Sequence, residues 1–377
     1  MEKLAINNNE YKLERFPLIQ GSQLRAWNSA DEYLLNTFFE FDNSENKNVL
    51  LVNDQFGALT IPLINYKPGV LSDSFMSKIS IEQNLIENEL SIEDWKFYNS
   101  AIEPDNFPTA FFDFVLIKIP KSISYLKYQL NQIKKSIHKD TVIIASGMTK
   151  HLSPNTHSIL EECLGETKVD RTFKKSVLFR IQPQKINTID ESILNYTELQ
   201  TDINNLMLAT YPNVFSQEKV DNGTRLLLSN LPDFNDEEKI VDLGCGSGII
   251  GLKIFINNSN TKITCIDESY LAVKSAEKSF ELNNAKAEFL VTDGLNNIEL
   301  NNLDYVISNP PFHNQTTLDN AEAERHFKPI KEALKNGGRF IIVCNRSLNY
   351  EPYLKKYFSA VKRIESNNKY FIIECIK

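Results

Sequence analysis

Short apolar runs alternate with stretches of helical length through the second half of this 377-residue sequence. The apolar runs span 240–243, 262–267, 287–291, 303–307 and 339–343, and the candidate helices between them span 249–255, 270–283 and 320–335. Strands that alternate with helices in this way form βαβ units and a mostly parallel sheet with helices on both faces. We therefore expect an α/β domain whose ligand site lies beyond the carboxyl ends of its strands.

The first half carries a fainter copy of the same plan. Residues 48–59 have the pattern of a buried strand followed by a turn into a helix. Gly57 lies 191 residues before Gly248, and Lys118 lies the same 191 residues before Asn309. Two landmarks at one offset indicate a duplicated domain, and the first copy lacks the glycines of the second.

The boundary between the two copies lies in a polar stretch, residues 186–201, that interrupts the apolar pattern and resembles a linker. We place the domains at 1–190 and 191–377. Both lengths agree with the roughly 100–200 residues that a single domain usually contains.

The sequence argues against several classes of protein. No apolar run approaches the roughly 18–20 residues of a membrane span, and residues 1–10 lack the apolar core of a signal peptide. The five cysteines are odd in number and lack a CxxC pair, which argues against a disulfide framework or a zinc site. We expect a cytoplasmic protein with no membrane segment and no metal; the sequence implies no oligomer.

Charge is distributed unevenly along the chain. The 41 basic and 49 acidic residues give a net charge of -8, which by itself argues against a nucleic-acid partner. Between Val115 and Lys185, however, there are 13 basic and 5 acidic residues, a local charge of +8 that leaves -16 for the remainder. Such a window forms either a solvated surface or a patch that contacts phosphates.

A glycine-rich loop, residues 242–248, connects the first strand of the second half to its first helix. Glycines there let backbone N–H groups and the helix N-terminus approach a ligand closely. The spacing Gly246-x-Gly248-x-x-Gly251 fits a dinucleotide fingerprint, with Asp267 placed to bind a ribose hydroxyl. In a second frame, Asp242 leads the glycines, and the loop resembles motif I of the S-adenosylmethionine-dependent methyltransferases. A tight turn without a ligand is the third alternative.

The resemblance to motif I implies a cofactor contact for each residue around the loop. Asp242 would lie near the methionine ammonium group, Asp267 would bind the ribose diol, and Asp293 would accept from the adenine amine. The other cofactor-binding residues in this frame are Gly244, Cys245, Gly246, Gly248 and Glu268.

The segment Ser308-Asn309-Pro310-Pro311-Phe312-His313 is the most specific feature of the chain. Its prolines fix the backbone, so that the Asn side-chain oxygen and a neighbouring carbonyl can accept both hydrogens of a planar NH₂ group. Phe312 can stack on the ring that bears the amine. This arrangement aims the nitrogen lone pair at a methyl group, and most of the acceleration then comes from orientation. We assign Asn309, Pro310 and Phe312 as catalytic residues and leave His313 outside that set.

Several further segments resemble one family, the ribosomal RNA guanine-N2 methyltransferases with a degenerate first methyltransferase domain and a working second one. In the second half these segments are Asn213–Ser216 with Asp221 and Gly223, Asn309–His313, Asn345–Tyr350 and Asn367–Tyr370. In the first half, the segments that resemble the large-subunit branch are Leu13–Pro17, Ala26–Trp27, Ala30–Leu35, Asn53–Leu59 and Ile117–Lys121.

This resemblance spans nearly the whole chain and implies two tandem Rossmann-like class I methyltransferase domains, the first degenerate. It implies S-adenosylmethionine as cofactor, with Phe215 and Asn309 among the residues that bind it. The implied partner is 23S ribosomal RNA, free or at an early stage of assembly, methylated on the N2 amine of one guanine. The alternative within the family is 16S ribosomal RNA.

The residues alone leave other functions open. The Asn-Pro-Pro-aromatic pattern also serves adenine N6 and protein glutamine N5 methylation, and it can form a merely structural turn. A dehydrogenase would need a hydride-transfer constellation, which does not accompany the glycines. A protein whose two domains are inactive RNA clamps would bind no cofactor, and the intact glycines argue against it.

The first domain is expected to bind no cofactor, because Lys118 stands where the second copy has Asn309 and no glycine loop follows its first strand. Our hypothesis is that its basic window holds RNA phosphates while the second domain takes the flipped guanine. The candidate RNA-binding residues are Lys118, Lys121, Lys134, Lys135, Lys174 and Lys175. A first domain that only stabilises the second is the alternative.

Overall fold

The computed structural model describes residues 3–17, 24–41, 47–102, 106–108, 111–186, 188–310, 320–348 and 350–377, with the backbone alone over 320–323. The chain forms two compact units, Met1–Asn195 and Tyr196–Lys377. None of the described helices is long and apolar enough to cross a bilayer. All five cysteines are buried free thiols.

The first unit is built on a seven-stranded sheet with the strand order β5-β4-β3-β6-β7-β9-β8, beside a small hairpin of β1 and β2. Its strands are β1 (Lys3–Ile6), β2 (Asn9–Lys12), β3 (Val49–Val52), β4 (Gly69–Ser72), β5 (Lys96–Asn99), β6 (Phe114–Lys118), β7 (Val142–Met148), β8 (Thr167–Val169) and β9 (Ser176–Ile181). Its helices are α1 (Ser29–Phe39), α2 (Phe75–Glu87), α3 (Ile123–Ile133) and α4 (Thr156–Cys163).

The second unit has a seven-stranded sheet with the order β14-β13-β12-β15-β16-β18-β17 and a hairpin of β10 and β11. Its strands are β10 (Thr197–Gln200), β11 (Met207–Thr210), β12 (Lys239–Leu243), β13 (Lys262–Asp267), β14 (Glu288–Val291), β15 (Leu303–Ser308), β16 (Leu334–Asn345), β17 (Ala360–Ser366) and β18 (Tyr370–Ile376). Its helices are α5 (Asn222–Leu228), α6 (Ile249–Asn257), α7 (Tyr270–Leu282), α8 (Asn320–Ala333) and α9 (Glu351–Tyr357).

The two large sheets share one topology, which confirms the prediction of tandem α/β domains. In each sheet six strands run in one direction, five of them as adjacent neighbours, and the last strand in sequence is inserted antiparallel to both of its neighbours. The central register also repeats: Val52 pairs with Ile117 in the first unit, and Leu243 pairs with Ser308 in the second. Both members of the second pair lie 191 residues after those of the first, so the offset seen in the sequence is the structural offset between the copies.

Each sheet is buried on both faces, which explains why its strands appear in the sequence as continuous apolar runs. In β12, for example, Ile240 packs into the core on one face and Val241 into the core on the other. In β3, Leu51 and Leu50 divide between the two faces in the same way. Both units therefore have complete hydrophobic cores, although only the second has the glycine loop.

Two local expectations differ from the structure. Residues 54–63 form successive turns and no α-helix, because the buried Asp54 carboxylate accepts N–H groups from Gly57, Leu59 and Thr60 and folds the segment around itself. The polar stretch taken as a linker contains β10, which pairs with β11 and belongs to the second unit. Its polar composition reflects exposure, since one face of this two-stranded hairpin is solvated.

Candidate functional site

The glycine loop and Asn309 leave the second sheet side by side. They follow the neighbouring parallel strands β12 and β15, whose last residues, Leu243 and Ser308, are paired. The Ser308 hydroxyl also donates a hydrogen bond to the Leu243 carbonyl at 2.7 Å. Because adjacent strands lie about 4.8 Å apart, a ligand held by the loop is within reach of a group held by Asn309.

Asp242 is a fully buried carboxylate that is only half satisfied. Its Oδ2 accepts from the Gly251 N–H at 2.9 Å, whereas its Oδ1 has no hydrogen-bond partner among the described residues. Burial, with a further contribution from the charge of Asp267, raises the pKa of Asp242 to about 7. A buried acceptor of this kind is a binding position for a cationic or hydrogen-bond-donating group of a ligand.

The glycine loop has open space next to its backbone, but two of its N–H groups are already hydrogen-bonded. A Cβ atom on Gly244 or Gly246 would meet nothing within 4 Å, and both residues have positive φ angles, of 72° and 53°. The N–H groups of Gly244 and Cys245 both donate to the Ile266 carbonyl, at 2.8 and 2.9 Å. The space in front of the loop would admit a ligand close to the backbone, whereas these two N–H groups tie the loop to β13.

Cys245 and Gly248 contribute to the loop in other ways. The Cys245 side chain is buried against Cys265, and the hydrogen bond between the two thiols, followed by burial, raises the pKa of Cys245 well above its ordinary value. Gly248 is the N-cap of α6, with a φ of 78°. A Cβ there would lie 2.9 Å from the Cβ of Ala276, so a glycine is required for α6 to pack against α7.

The acids that end β13 are placed on the ligand side of the loop. Asp267 accepts from the N–H of Gly246 and from that of Ser269, at 3.0 Å each. Burial raises the pKa of Asp267 above its ordinary value. The N–H of Glu268 also donates to this carboxylate, which still has capacity to accept from a hydroxyl group of a ligand. Glu268 itself is exposed.

Asp293 and Phe215, the more peripheral cofactor candidates, lie on other elements of the second unit. Asp293 follows β14, and its Oδ1 forms an ion pair with Arg325 of α8. The carboxylate therefore shares its acceptor capacity between the guanidinium and any ligand. Phe215 follows β11 and is 56% exposed, and its role at the cofactor stays a prediction.

Asn309 is held by the first turn of α5. Its Nδ2 donates to the Thr224 hydroxyl at 2.7 Å and to Asp221 Oδ2 at 3.2 Å. Pro310 is buried directly after it. Pro311, Phe312 and His313 lie outside the described residues, so the stacking role of Phe312 stays a prediction.

In the first unit the corresponding position is filled by an ion pair. The Lys118 ammonium lies 2.8 Å from both oxygens of Asp31, which is fully buried in the first turn of α1. Lys118 is only 13% exposed. Its expected role as a phosphate ligand conflicts with this pairing, because the buried carboxylate already uses the cation.

Replacing Lys118 by alanine should therefore destabilise the fold rather than weaken RNA binding alone. The change leaves Asp31 buried without a countercharge, a loss that typically costs about 3–5 kcal/mol. Urea denaturation of the full-length chain measures it, with Lys121→Ala as the control because Lys121 is exposed. A midpoint equal to that of the wild type would show that the ion pair contributes nothing to stability.

The other five candidate RNA-binding lysines differ in their exposure. Lys134 is buried, with its ammonium on the Thr188 carbonyl at 3.0 Å, and Lys135 is half-buried. Lys174 is exposed but pairs with Glu32 at 2.7 Å. Lys121 and Lys175 are exposed to solvent.

Lys121 and Lys175 belong to a cationic cluster that the sequence reading did not identify. Desolvation, and then the charges of Lys121 and Lys150, lower the pKa of His151, so both cations lie within electrostatic range of the imidazole. The Lys175 carbonyl accepts from the N–H of Thr149 at 2.9 Å, next to Lys150. We call Lys121, Lys150, His151 and Lys175 the basic edge; its residues follow β6 and β7 or precede β9, at the carboxyl edge of the first sheet.

Sequence reasoning also missed two partners of predicted site residues, Thr224 and Arg325. Thr224 was within reach of prediction, because Asp221-Asn222-Gly223-Thr224 has the pattern of a helix N-cap followed by its first turn. Arg325 carried no such signal, since it lies 32 residues from Asp293 and only the fold brings them together. No group of three metal-ligating side chains occurs among the described residues.

Comparisons with known proteins agree along the whole chain. The family described as the RLMG N-terminal domain matches residues 1–185, and the methyltransferase small domain matches residues 205–374. Ribosomal RNA large subunit methyltransferase G of Yersinia enterocolitica is 35% identical, over 100% of this chain and 95% of the relative. The protein of the same name from Streptomyces griseus is 31% identical, over 100% of both chains.

Among solved structures, the 16S rRNA N2 G1207 methyltransferase of T. thermophilus, in complex with AdoMet and guanosine, superimposes with a TM-score of 0.78. The match covers 100% of this chain and 97% of the other, at 18% sequence identity. At that identity the similarity establishes the fold: two tandem methyltransferase domains in one chain.

Proposed function

We propose a specific reaction for this chain, which belongs to the ribosomal RNA large subunit methyltransferase G family: methyl transfer to the exocyclic N2 amine of one guanine in 23S ribosomal RNA. S-adenosylmethionine supplies the sulfonium methyl group. One observation supports the proposal most directly, the pairing of Leu243 with Ser308. This pairing places two sites at adjacent strand ends. The glycine loop would hold the methyl donor, and Asn309 would hold the amine that receives the methyl group.

The residues around the loop fit this cofactor. The unpartnered Oδ1 of Asp242 suits the ammonium group of the methionine part. The open space in front of Gly244 and Gly246 admits the methionine chain next to the backbone. The Asp267 carboxylate, which accepts three backbone N–H groups, has remaining capacity to accept from a ribose hydroxyl.

At the acceptor side, Asn309 binds and orients the amine. Its Nδ2 is engaged by Thr224 and Asp221, so its Oδ1 is the atom that can accept an N–H from the base. An exocyclic amine on a base is a poor nucleophile because its lone pair is delocalised into the ring. Holding its hydrogens directs the lone pair, and the proton can leave to water after transfer, so no strong base is required in the site.

The choice of RNA is tested by incubating the protein with labelled S-adenosylmethionine and separate 23S and 16S ribosomal RNAs, each also supplied as an assembled subunit. We expect label in protein-free 23S RNA and little label in the assembled large subunit. The names of the relatives support the choice of large-subunit RNA. Label in 16S RNA instead would favour the small-subunit alternative and contradict the proposal.

The first unit, on this proposal, contributes phosphate contacts through the basic edge. Its own equivalent of the cofactor loop is closed, because Asp54 occupies the N–H groups of Gly57, Leu59 and Thr60. Lys121, Lys150 and Lys175 are exposed cations, and exposed cations at one edge suit a phosphate backbone. Of the six lysines predicted from the sequence, the proposal keeps Lys121 and Lys175, and it adds Lys150 and His151.

The double variant Lys121→Glu, Lys150→Glu should weaken RNA binding about tenfold or more and lower the slope of log affinity against log salt by about 1–2, because fewer counterions are released. Filter binding of 23S fragments at several salt concentrations measures both quantities. The matched control is Lys96→Glu, Lys139→Glu, which makes the same charge change at exposed residues that begin β5 or precede β7, at the opposite edge of the sheet. Equal loss in both variants would show that net charge, not the basic edge, determines affinity.

A further inference from the structure

We propose that Asp221 and Thr224 are positioning residues that fix the amide of Asn309 in the one orientation able to bind the reacting amine. The inference rests on the proposed function and extends it to two residues outside the catalytic motif. It stands on the hydrogen bonds between the end of β15 and the first turn of α5.

Three side chains form one connected network. Asn309 Nδ2 lies 2.7 Å from the Thr224 hydroxyl oxygen and 3.2 Å from Asp221 Oδ2. The Thr224 hydroxyl in turn donates to Asp221 Oδ2 through a short hydrogen bond. Thr224 is buried and Asp221 and Asn309 are partly buried, which limits competition from water.

The chemistry of these partners determines which end of the amide faces them. An ionised carboxylate only accepts hydrogen bonds, and the single Thr224 proton is already directed at Asp221, so both groups present lone pairs to Asn309. Only the NH₂ end of the amide complements two lone pairs. Because Thr224 Oγ1 and Asp221 Oδ2 are hydrogen-bonded to each other, they lie on the same side of Nδ2 and share one N–H bond of the amide, and Oδ1 is the acceptor that is left for a ligand.

This arrangement fixes which end of the Asn309 amide is turned away from α5. Oδ1 can receive an N–H from an exocyclic amine. A flipped amide would instead set its oxygen against the lone pairs of Asp221 and Thr224, which is repulsive. The two residues thus keep an acceptor available for an amine at this position.

The network is held rigid because it is also the cap of α5. Asp221 Oδ1 accepts from the N–H groups of Gly223 and Thr224, at 2.8 and 3.1 Å. At Gly223 the helix also packs closely on Tyr370, where a Cβ would lie 3.3 Å from the ring. The carboxylate that orients Asn309 is therefore fixed by backbone hydrogen bonds that do not depend on a ligand.

The first unit provides an internal contrast. There Asp31, at the third position of α1, pairs with Lys118, just as Thr224, at the third position of α5, pairs with Asn309. The contact between helix turn and strand end is retained, but a lysine only donates hydrogen bonds and cannot accept from an amine. The same contact thus orients an acceptor in the second unit and forms a buried ion pair in the first.

In the reaction, the bond from N2 to the methyl carbon forms as the bond from sulfur to that carbon breaks. The nitrogen then releases one proton to water, and the sulfur product leaves as the neutral thioether. Asp221 and Thr224 take no part in this transfer of atoms. Their removal should lower kcat by disorienting Asn309, with little effect on cofactor affinity.

The decisive variant is Thr224→Val, which keeps the shape of the side chain and removes the hydroxyl. We expect kcat to fall roughly 10–100-fold, with the KM for RNA and the Kd for S-adenosylmethionine within about twofold of wild type. Thr224→Ser restores the hydroxyl and should recover most of kcat. Wild-type kcat in Thr224→Val, or a loss that serine does not rescue, would overturn the inference.

Asp221→Asn tests the carboxylate while keeping the helix cap, because Asn is as good an N-cap as Asp. With its oxygen retained on the cap, the new NH₂ group faces the Asn309 NH₂ group and repels it. We expect kcat to fall at an unchanged melting temperature. Equal kcat in Asp221→Asn would contradict the directional argument.

A measurement that needs no turnover is hydrogen exchange of the Asn309 side-chain amide, followed in protein labelled with ¹⁵N-asparagine. The proton that Nδ2 directs at Thr224 and Asp221 should exchange slowly in the wild type and in Thr224→Ser, and faster in Thr224→Val. Exchange that Thr224→Val leaves unchanged would contradict the network even if activity fell. Absence of methyl transfer by the wild type to any RNA would refute the proposed function, whereas an active wild type with unaffected variants would refute this inference alone.

Discussion

Replacing Asn309 by alanine is expected to lower kcat for methyl transfer by roughly 100-fold or more and to leave S-adenosylmethionine binding nearly intact. Asn309 follows β15, whereas the glycine loop follows β12, so its removal disturbs the acceptor side of the site. Without the Oδ1 acceptor, the amine keeps its lone pair delocalised and is free to rotate away from the methyl group. Single-turnover kinetics with 23S RNA measure the loss.

The matched control for that variant is Asn301→Ala. Asn301 is an exposed asparagine just before β15, at the opposite edge of the same sheet, and its replacement should leave kcat unchanged. Cofactor titration of both variants separates orientation from binding. A fall in cofactor affinity as large as the fall in kcat would mean that Asn309 acts mainly on the cofactor, contrary to the assignment.

Asp242 should make cofactor binding depend on pH in a predictable way. Burial raises its pKa to about 7 in the free protein, and an ammonium group beside it requires the ionised form. Below pH 7, binding must remove a proton, so affinity should fall by up to about tenfold per pH unit. Above about pH 8 the ligand's own amino group loses its charge, so the affinity profile should be bell-shaped.

Asp242→Asn should weaken cofactor binding by about 2–4 kcal/mol, or roughly 30–1000-fold, and abolish the acidic limb of the profile. Isothermal titration between pH 5.5 and 9 measures both effects. An acidic limb that persists in Asp242→Asn would assign it to another group, with Asp267 the first to examine because its pKa is also raised.

Folding stability provides the control for Asp242→Asn, because ionisation of Asp242 favours cofactor binding but disfavours the folded state. The folded pKa of Asp242, about 7, lies above its ordinary value of 3.8, so the unfolded chain releases this proton at lower pH than the folded chain does. The contribution of Asp242 to stability is therefore present at low pH and is lost as pH rises from about 4 to 7. At pH 8 the cofactor-free Asp242→Asn variant should be at least as stable as the wild type, so weakened binding cannot be attributed to misfolding.

Much of the second unit is predictable because local pattern and fold agree there. The candidate helix 270–283 appears as α7, Tyr270–Leu282, and the apolar run 262–267 appears as β13. In these segments, hydrophobic periodicity and capping residues point to the structure that tertiary packing also requires. The site could be located for the same reason, since both motifs follow strands of one parallel sheet.

The first unit shows where that reasoning stops. Its basic window was visible, but burial of Lys118 and Lys134 was not, because their partners, Asp31 and the Thr188 carbonyl, lie 87 and 54 residues away. Pairings over such distances leave no local pattern. The basic edge was missed for a related reason: its residues lie next to three different strands, β6, β7 and β9, and none of them is unusual in its own segment.

The most direct test of the central claim is to identify the nucleoside that the protein produces in 23S ribosomal RNA. Protein-free 23S RNA is incubated with methyl-labelled S-adenosylmethionine and either the wild type or Asn309→Ala, then digested and analysed by chromatography and mass spectrometry. The account predicts N2-methylguanosine at one position with the wild type and strongly reduced product with the variant. Label in N6-methyladenosine or in protein, or none in 23S RNA, would contradict it.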